Sequence, residues 1–259
     1  MFERKKFKNL WEGKIEPFHI IGNVYFVGTF QASSHLIDSG DGLILIDSGY
    51  HNTLYLVLDS IYKLGFNPRD IKYIINTHWH GDHTEGTAAM ADLSGAKTII
   101  GKEDAEKAKK FFEADILVSD GDILSLGNTN ITFLETPGHT KGTISLFFDT
   151  EEDGKIYRVG TFGGAGANTL AKGCFDYEGC REGYTESINR LRKEKVDVFI
   201  GNHVWNNDTK SKGELLLLTG ENKFIDSQLW YDFLDFCEKR LKELIVAESV
   251  ENITIGEVN

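Results

Sequence analysis

Proline and cysteine are scarce in this sequence, with three of each in 259 residues. So few prolines leave no Pro-rich linker, and with no long repeat or low-complexity stretch residues 1–259 read as a single domain. Three cysteines do not make a disulfide framework. Cys174 and Cys180 bracket a short glycine-containing loop and can pair, but reduced thiols are the plainer reading. No apolar run is long enough to span a bilayer. The basic residues Arg4, Lys5, Lys6 and Lys8 have no apolar stretch behind them, so no export signal is visible and the cytoplasm is the expected compartment. Positive charge is also in deficit: 28 Lys and Arg against 40 Asp and Glu leave a formal −12 at pH 7. That balance repels phosphate backbones and anionic membranes, which argues against a nucleic-acid or membrane partner; a small-molecule substrate is the expected partner. The pattern sets no oligomeric state.

Hydrophobic residues at 41% and aromatics at 12% suit a globular core. Strands are expected at 19–28, 34–38, 43–47, 71–76 and 97–100, with Asp41-Gly42 marking a hairpin. Later strands are expected at 123–126, 131–135, 143–148, 156–160 and 196–200. Helical spacing covers 53–64, 84–93, 103–112 and 184–194, with Gly65 and Gly95 as stop signals. A long amphipathic helix is expected from about residue 224 to 247, behind a peripheral N-terminal segment of about 18 residues. Strand runs flanked by helices in both halves predict an α/β fold, a four-layer αββα sandwich of two packed mixed sheets.

The chemistry concentrates in Asn76-Thr77-His78-Trp79-His80-Gly81-Asp82-His83. Alternate residues of an extended segment point the same way, so His78 and His80 can bind one ion together. Gly81 permits a tight turn, after which Asp82 and His83 open a helix and can face a second ion. Imidazole and carboxylate suit zinc, although iron or manganese accepts similar ligands. The plain alternative is a polar loop with accidental histidines, and so tight a spacing drawn from eight histidines in the chain argues against it. Two distant residues join the candidates. His139 lies on the turn Thr136-Pro137-Gly138-His139-Thr140, and His203 follows an expected strand in Gly201-Asn202-His203. Each alone would be an ordinary loop histidine; beside the cluster each becomes a ligand candidate.

The His-x-His-x-Asp-His run, the Thr-Pro-Gly-His-Thr turn and Leu45-Ile46-Asp47-Ser48-Gly49 resemble the metallo-β-lactamase superfamily pattern, in its usual order. The resemblance spans nearly the whole chain. It implies that His78, His80 and His139 hold one zinc ion and that Asp82, His83 and His203 hold a second. Asp47 would orient a ligand imidazole. Many members, such as glyoxalase II, phosphodiesterases and flavodiiron proteins, carry an aspartate bridging both metals after a later strand. Here residues 158–166 read Arg-Val-Gly-Thr-Phe-Gly-Gly-Ala-Gly, with no acid. That departure resembles the third subclass of metallo-β-lactamases, as does the segment 220–226.

The resemblance implies a metallo-hydrolase in which a hydroxide shared by two ions attacks a β-lactam, lactone, ester, thioester or amide carbonyl, with Asp82 orienting the nucleophile and taking its proton. The competing enzyme class is a mononuclear-iron oxidoreductase of thiols, similar to sulfur dioxygenases, which needs only three histidines; a non-catalytic metal-binding protein is the third possibility. The glycines of 160–166 match neither a Walker loop nor a dinucleotide loop and are expected to give flexible backbone near the metals. Cys174 is a poor candidate ligand, since His83 already fills that role in the pattern. His19, His35 and His51 are expected to be structural, with His51 near enough to the Asp47 loop to line a pocket. Trp79, Trp205 and Phe162 are candidate substrate walls, ordinary packing being the alternative.

Overall fold

The computed structural model describes residues 7–256, and side chains as far as residue 250. Basic residues Arg4, Lys5 and Lys6 lie outside the described residues. Two sheets face each other. The first runs β1 (Phe18–Ile21), β2 (Val24–Phe26), β3 (His35–Asp38), β4 (Leu43–Ile46), β5 (Ile71–Asn76), β6 (Lys97–Gly101) and β7 (Ile116–Val118), in spatial order. Its first four strands form an antiparallel meander, and β4 to β7 pair in parallel. The second sheet has the order β12-β11-β10-β9-β8, from β8 (Ile123–Leu126), β9 (Thr129–Glu135), β10 (Ile144–Glu152), β11 (Lys155–Thr161) and β12 (Val198–Phe199). Only β11 and β12 pair in parallel there.

Side-chain alternation builds the layers. Ile44, Ile46 and Ile75 point between the sheets and meet Phe133, Leu146 and Phe148 from the facing sheet. Their neighbours Leu43, Leu45 and Ile74 point outward onto α1 (Leu54–Lys63) and α3 (Thr87–Ser94). Across the sandwich Leu134, Phe147 and Phe199 face outward onto α5 (Cys180–Leu191) and α7 (Gln228–Gly256). Three apolar clusters between four layers make the αββα sandwich expected from the sequence.

Several elements differ from expectation. The run 19–28 is two strands, because Gly22 at φ +53° turns the chain into a hairpin. The helix expected at 84–93 is a single turn, α2 (Gly81–Thr84), then α3, with Gly86 between them against the Ser48 carbonyl. Of 103–112 only α4 (Ala105–Ala108) is α-helical, flanked by turns. The last helix starts at Gln228, since Phe224 stacks on Phe18 and Ile225 bridges to Val198. One strand and one α-helix were missed. β7 has three residues, and α6 (Thr209–Thr219) carries four successive leucines that show no helical period. The three cysteines are free, Cys174 exposed and Cys180 and Cys237 buried. Among the described residues no helix is long and apolar enough to cross a membrane.

Candidate metal centre

The candidate residues gather at the carboxyl ends of strands, where parallel strands open a crevice. Asp47 follows β4, His78 and His80 follow β5, His139 follows β9 and His203 follows β12. Two loops from opposite sheets are tied by backbone, the Ile144 N–H donating to the Thr77 carbonyl at 2.9 Å. Ligand atoms of His78, His80 and His139 all lie within 4.8 Å of one another, as do those of His78, Asp82 and His83. His203 Nε2 stands 3.7 Å from Asp82 Oδ2, and His83 Nε2 3.5 Å from the same oxygen. The six predicted residues thus converge in one place.

Hydrogen bonds orient the imidazoles, with tautomers assigned from the network. His139 Nδ1 donates to the Gly166 carbonyl at 2.7 Å and His203 Nδ1 to the Gln31 carbonyl at 2.9 Å. His83 Nδ1 donates to Asp47 Oδ2 at 2.7 Å. The Thr77 hydroxyl donates to Asp47 Oδ2, so it accepts from His78 Nδ1 at 3.1 Å. Each of these four rings therefore turns an Nε2 without its proton toward the cluster, as metal ligation requires. His80 presents Nδ1 instead, 2.9 Å from His139 Nε2.

The electrostatics suit a cation. His78 Nε2 and His83 Nε2 are buried without a hydrogen-bond partner, an expensive arrangement unless an electron acceptor satisfies them. Burial, reinforced by the neighbouring imidazoles, drives His78 well below the usual histidine range and His139 down to about 3. Both are neutral donors at pH 7. Burial works against the Asp82 carboxylate, but His83, His203, His80 and His139 together carry its pKa below the ordinary value. Burial likewise opposes charge on His83, yet Asp82 and Asp47 raise it. Buried imidazoles around one carboxylate are the donor set of a zinc-type site, and the residues fit such an ion.

Above the cluster opens a cleft of about 1410 Å3, walled by Trp79, Phe111 and Trp205 and on the far side by Phe236 and Leu244 of α7. Trp205 stacks on His203 at 4.3 Å between ring centroids. Phe162 is no wall: it is fully buried against Tyr184 in the outer core. Tyr50, not His51, lines the cleft. His35 is fully buried, whereas His19 caps its own hairpin through the Gly22 carbonyl. The glycines after β11 do not supply looseness. A Cβ on Gly163 would sit 1.9 Å from the Ile144 carbonyl oxygen, and one on Gly166 3.0 Å from the His139 ring, so they permit close approach.

Two acids at the site escaped sequence reasoning. Asp104 is fully buried and accepts from the Trp79 N–H, the Thr140 hydroxyl and the Gly142 N–H. Burial pushes its carboxyl up to about 6 despite those three donors. Asp176 accepts from the Trp79 indole N–H and the Lys141 N–H and pairs with Lys107. Neither belongs to a local pattern, and only the folded chain puts them beside the ligands.

Such a fold and cluster define a protein of the αββα metal-site class. Residues 27–203 match the metallo-β-lactamase superfamily, and the chain belongs to that family. Its structure superposes on subclass B3 metallo-β-lactamases. BJP-1 of Bradyrhizobium japonicum gives a TM-score of 0.85 at 28% identity, over 93% of this chain and 98% of that one. FEZ-1 of Legionella gormanii gives 0.85 at 29%, over 92% and 98%. Among curated sequences, the hydroxyacylglutathione hydrolase of Hyphomonas neptunium is 36% identical over 124 residues, 48% of this chain. The match spans 44% of that enzyme, so this chain covers less than half of the relative. The family, its third subclass as structural likeness and the metallo-hydrolase class agree with the expectations from sequence.

Proposed function

We propose that this chain is a dinuclear zinc hydrolase that opens a carbonyl-type bond in a small molecule, working as a single domain in the cytoplasm. His78, His80 and His139 would hold one ion and Asp82, His83 and His203 the other. The observation that carries the reading is the pair of buried Nε2 atoms of His78 and His83 that no hydrogen bond satisfies, on rings whose centroids are 4.2 Å apart, with Asp82 Oδ2 3.5 Å from His83 Nε2. A zinc pair bound there would polarise the carbonyl and bring the pKa of a shared water to about 7.

The chain's own residues supply orientation. Asp82, an anion at neutral pH, offers Oδ2 to a water proton and can take that proton when the water attacks. Asp47 holds His83 in the ligating tautomer, and the carbonyl groups of Gly166 and Gln31 do the same for His139 and His203. Trp79, Phe111 and Trp205 give the substrate an apolar bed and shed water from the scissile bond.

The stretch after β11 has no acid, which favours the β-lactam-type branch over the glyoxalase II pattern. The curated relatives named hydroxyacylglutathione hydrolase make a thioester the second substrate to try. The test is metal quantitation followed by a panel of a chromogenic cephalosporin, lactones and a hydroxyacyl glutathione thioester. Two zinc ions per chain and turnover of at least one substrate are expected. A single iron with oxygen uptake on thiols, or silence across the panel by zinc-loaded protein, would refute the hydrolase.

A further inference from the structure

We propose that Asp104 and Asp176 are positioning residues, two buried carboxylates that staple the His78–His80 loop to the His139 turn and preset the three-imidazole half of the site. The proposal rests on the reading that this cluster holds a metal ion. Its basis is a set of contacts that repeat the same bridge twice. Asp104 Oδ2 receives the Trp79 backbone N–H at 3.0 Å and the Thr140 hydroxyl at 2.6 Å, while its Oδ1 receives the Gly142 N–H at 2.7 Å. Asp176 Oδ1 receives the Trp79 indole N–H at 3.2 Å, and its Oδ2 the Lys141 N–H at 3.1 Å. Lys107 pairs with Asp176 and lies 5.4 Å from the centroid of the Trp79 ring, closing the assembly from outside.

The anchor points are one or two residues from the ligands. Trp79 separates His78 from His80, so fixing its backbone and its ring sets the pleat that aims both imidazoles. Thr140 and Lys141 directly follow His139. These loops come from opposite sheets, and no covalent link closer than the whole β6–β9 segment relates them. The crossing is also shaped for close contact. A Cβ on Gly101 would lie 2.1 Å from the Gly142 carbonyl oxygen, and one on Gly142 2.2 Å from the Asp104 nitrogen.

Three donors on Asp104 demand two acceptor oxygens, which a carboxylate supplies and a carboxamide does not. In Asp104→Asn the amide NH2 confronts either the Gly142 N–H or the Trp79 and Thr140 donors. The same substitution at Asp176 loses either the Lys141 contact or the indole contact.

The experiment titrates metal-free wild type, Asp104→Asn, Asp176→Asn and the milder Thr140→Val with cobalt(II), reading the visible spectrum and affinity of each site alongside urea unfolding. Asp115→Asn is the control: Asp115 binds the Thr98 backbone and hydroxyl, away from the ligand loops. The site variants should lose about 10- to 100-fold in affinity at the three-imidazole site with a changed cobalt spectrum. The second site should keep its affinity, and Asp115→Asn should lose stability without losing cobalt. Site variants that match wild type in affinity and spectrum, or that lose cobalt only in proportion to lost stability, overturn the staple. A wild type that takes up no cobalt overturns the metal-site reading itself. Should Asp104→Asn fail to fold, Asp176→Asn and Thr140→Val still decide between these results.

Discussion

Replacing Asp47 by Asn isolates what one buried carboxylate does for the second ion. Asp47 is 1% exposed and sits at φ +56°, a left-handed conformation that Asn tolerates and Ala resists. The backbone is therefore preserved while the hydrogen bonding changes. Asp47 Oδ1 accepts the Thr77 N–H, and Oδ2 accepts both the Thr77 hydroxyl and His83 Nδ1. With the amide oxygen kept on Thr77 N–H, the NH2 group faces His83 Nδ1 and donates to it. His83 must then carry its proton on Nε2, the atom proposed to bind metal. Loss of such an orienting partner costs about 10- to 100-fold in metal affinity, or about 1.4–2.7 kcal/mol. Fold stability should fall by a further ~1–3 kcal/mol from the disturbed buried donors. Competition with a chromophoric zinc chelator measures both sites. The second site should drop further than the His78–His80–His139 site, which feels the change only indirectly, through the Thr77 hydroxyl on His78 Nδ1. An unchanged second site, or an equal fall at both, would refute the tautomer argument.

Other consequences can be checked in the same protein. Burial holds His35 down to about 3, below its unfolded value of 6.5, so the unfolded chain binds the extra proton as pH falls between those values. Stability from neutral His35 is present above pH 6.5 and declines as acid is added; His35→Gln should remove about 2 kcal/mol of the loss between pH 7 and pH 5, measured by urea unfolding. A variant with the wild-type pH slope would contradict this. Gly163→Ala drives a methyl into the Ile144 carbonyl and should cost at least ~1–3 kcal/mol; thermal melts equal to wild type would disprove the close approach. Trp230 is fully buried on Phe199 and donates its indole N–H to the Leu191 carbonyl, so Trp230→Ala should cost about 3–5 kcal/mol and loosen α7, seen as faster amide exchange along that helix. Finally, loading the His78–His80–His139 site at pH 7 should release few protons, because burial keeps His78 and His139 neutral. Calorimetry in buffers of different ionisation enthalpy counts the protons released, and a full proton per ion bound there would contradict this.

Local pattern was enough to reveal the cluster from His78 to His83, because period-2 alternation and a glycine turn dictate where neighbouring side chains point. The same alternation made the layers legible: Ile44, Ile46 and Ile75 face one way and Leu43, Leu45 and Ile74 the other. Periodicity failed where packing chose the conformation. Phe224 reads as a helical residue but stacks on Phe18 in the inter-sheet core, and the leucine run of α6 carries no period to read. Phe162 is one residue past β11 and reads equally as wall or core; only the position of Tyr184 placed it inside.

By itself, then, the sequence determined the layered α/β architecture and the ligand candidates of the His78–His83 run, since both follow from short-range spacing and residue chemistry, while His139 and His203 became candidates only beside that run and through the family resemblance. Tertiary structure alone decided which nitrogen each imidazole turns inward, that Asp104 and Asp176 bridge two loops from opposite sheets, and that the glycines after β11 are packed and not loose. The reason is range. Hydrogen-bond partners such as Asp47 and His83, or Gln31 and His203, meet only after the sheets have closed, and no spacing along the chain encodes their direction.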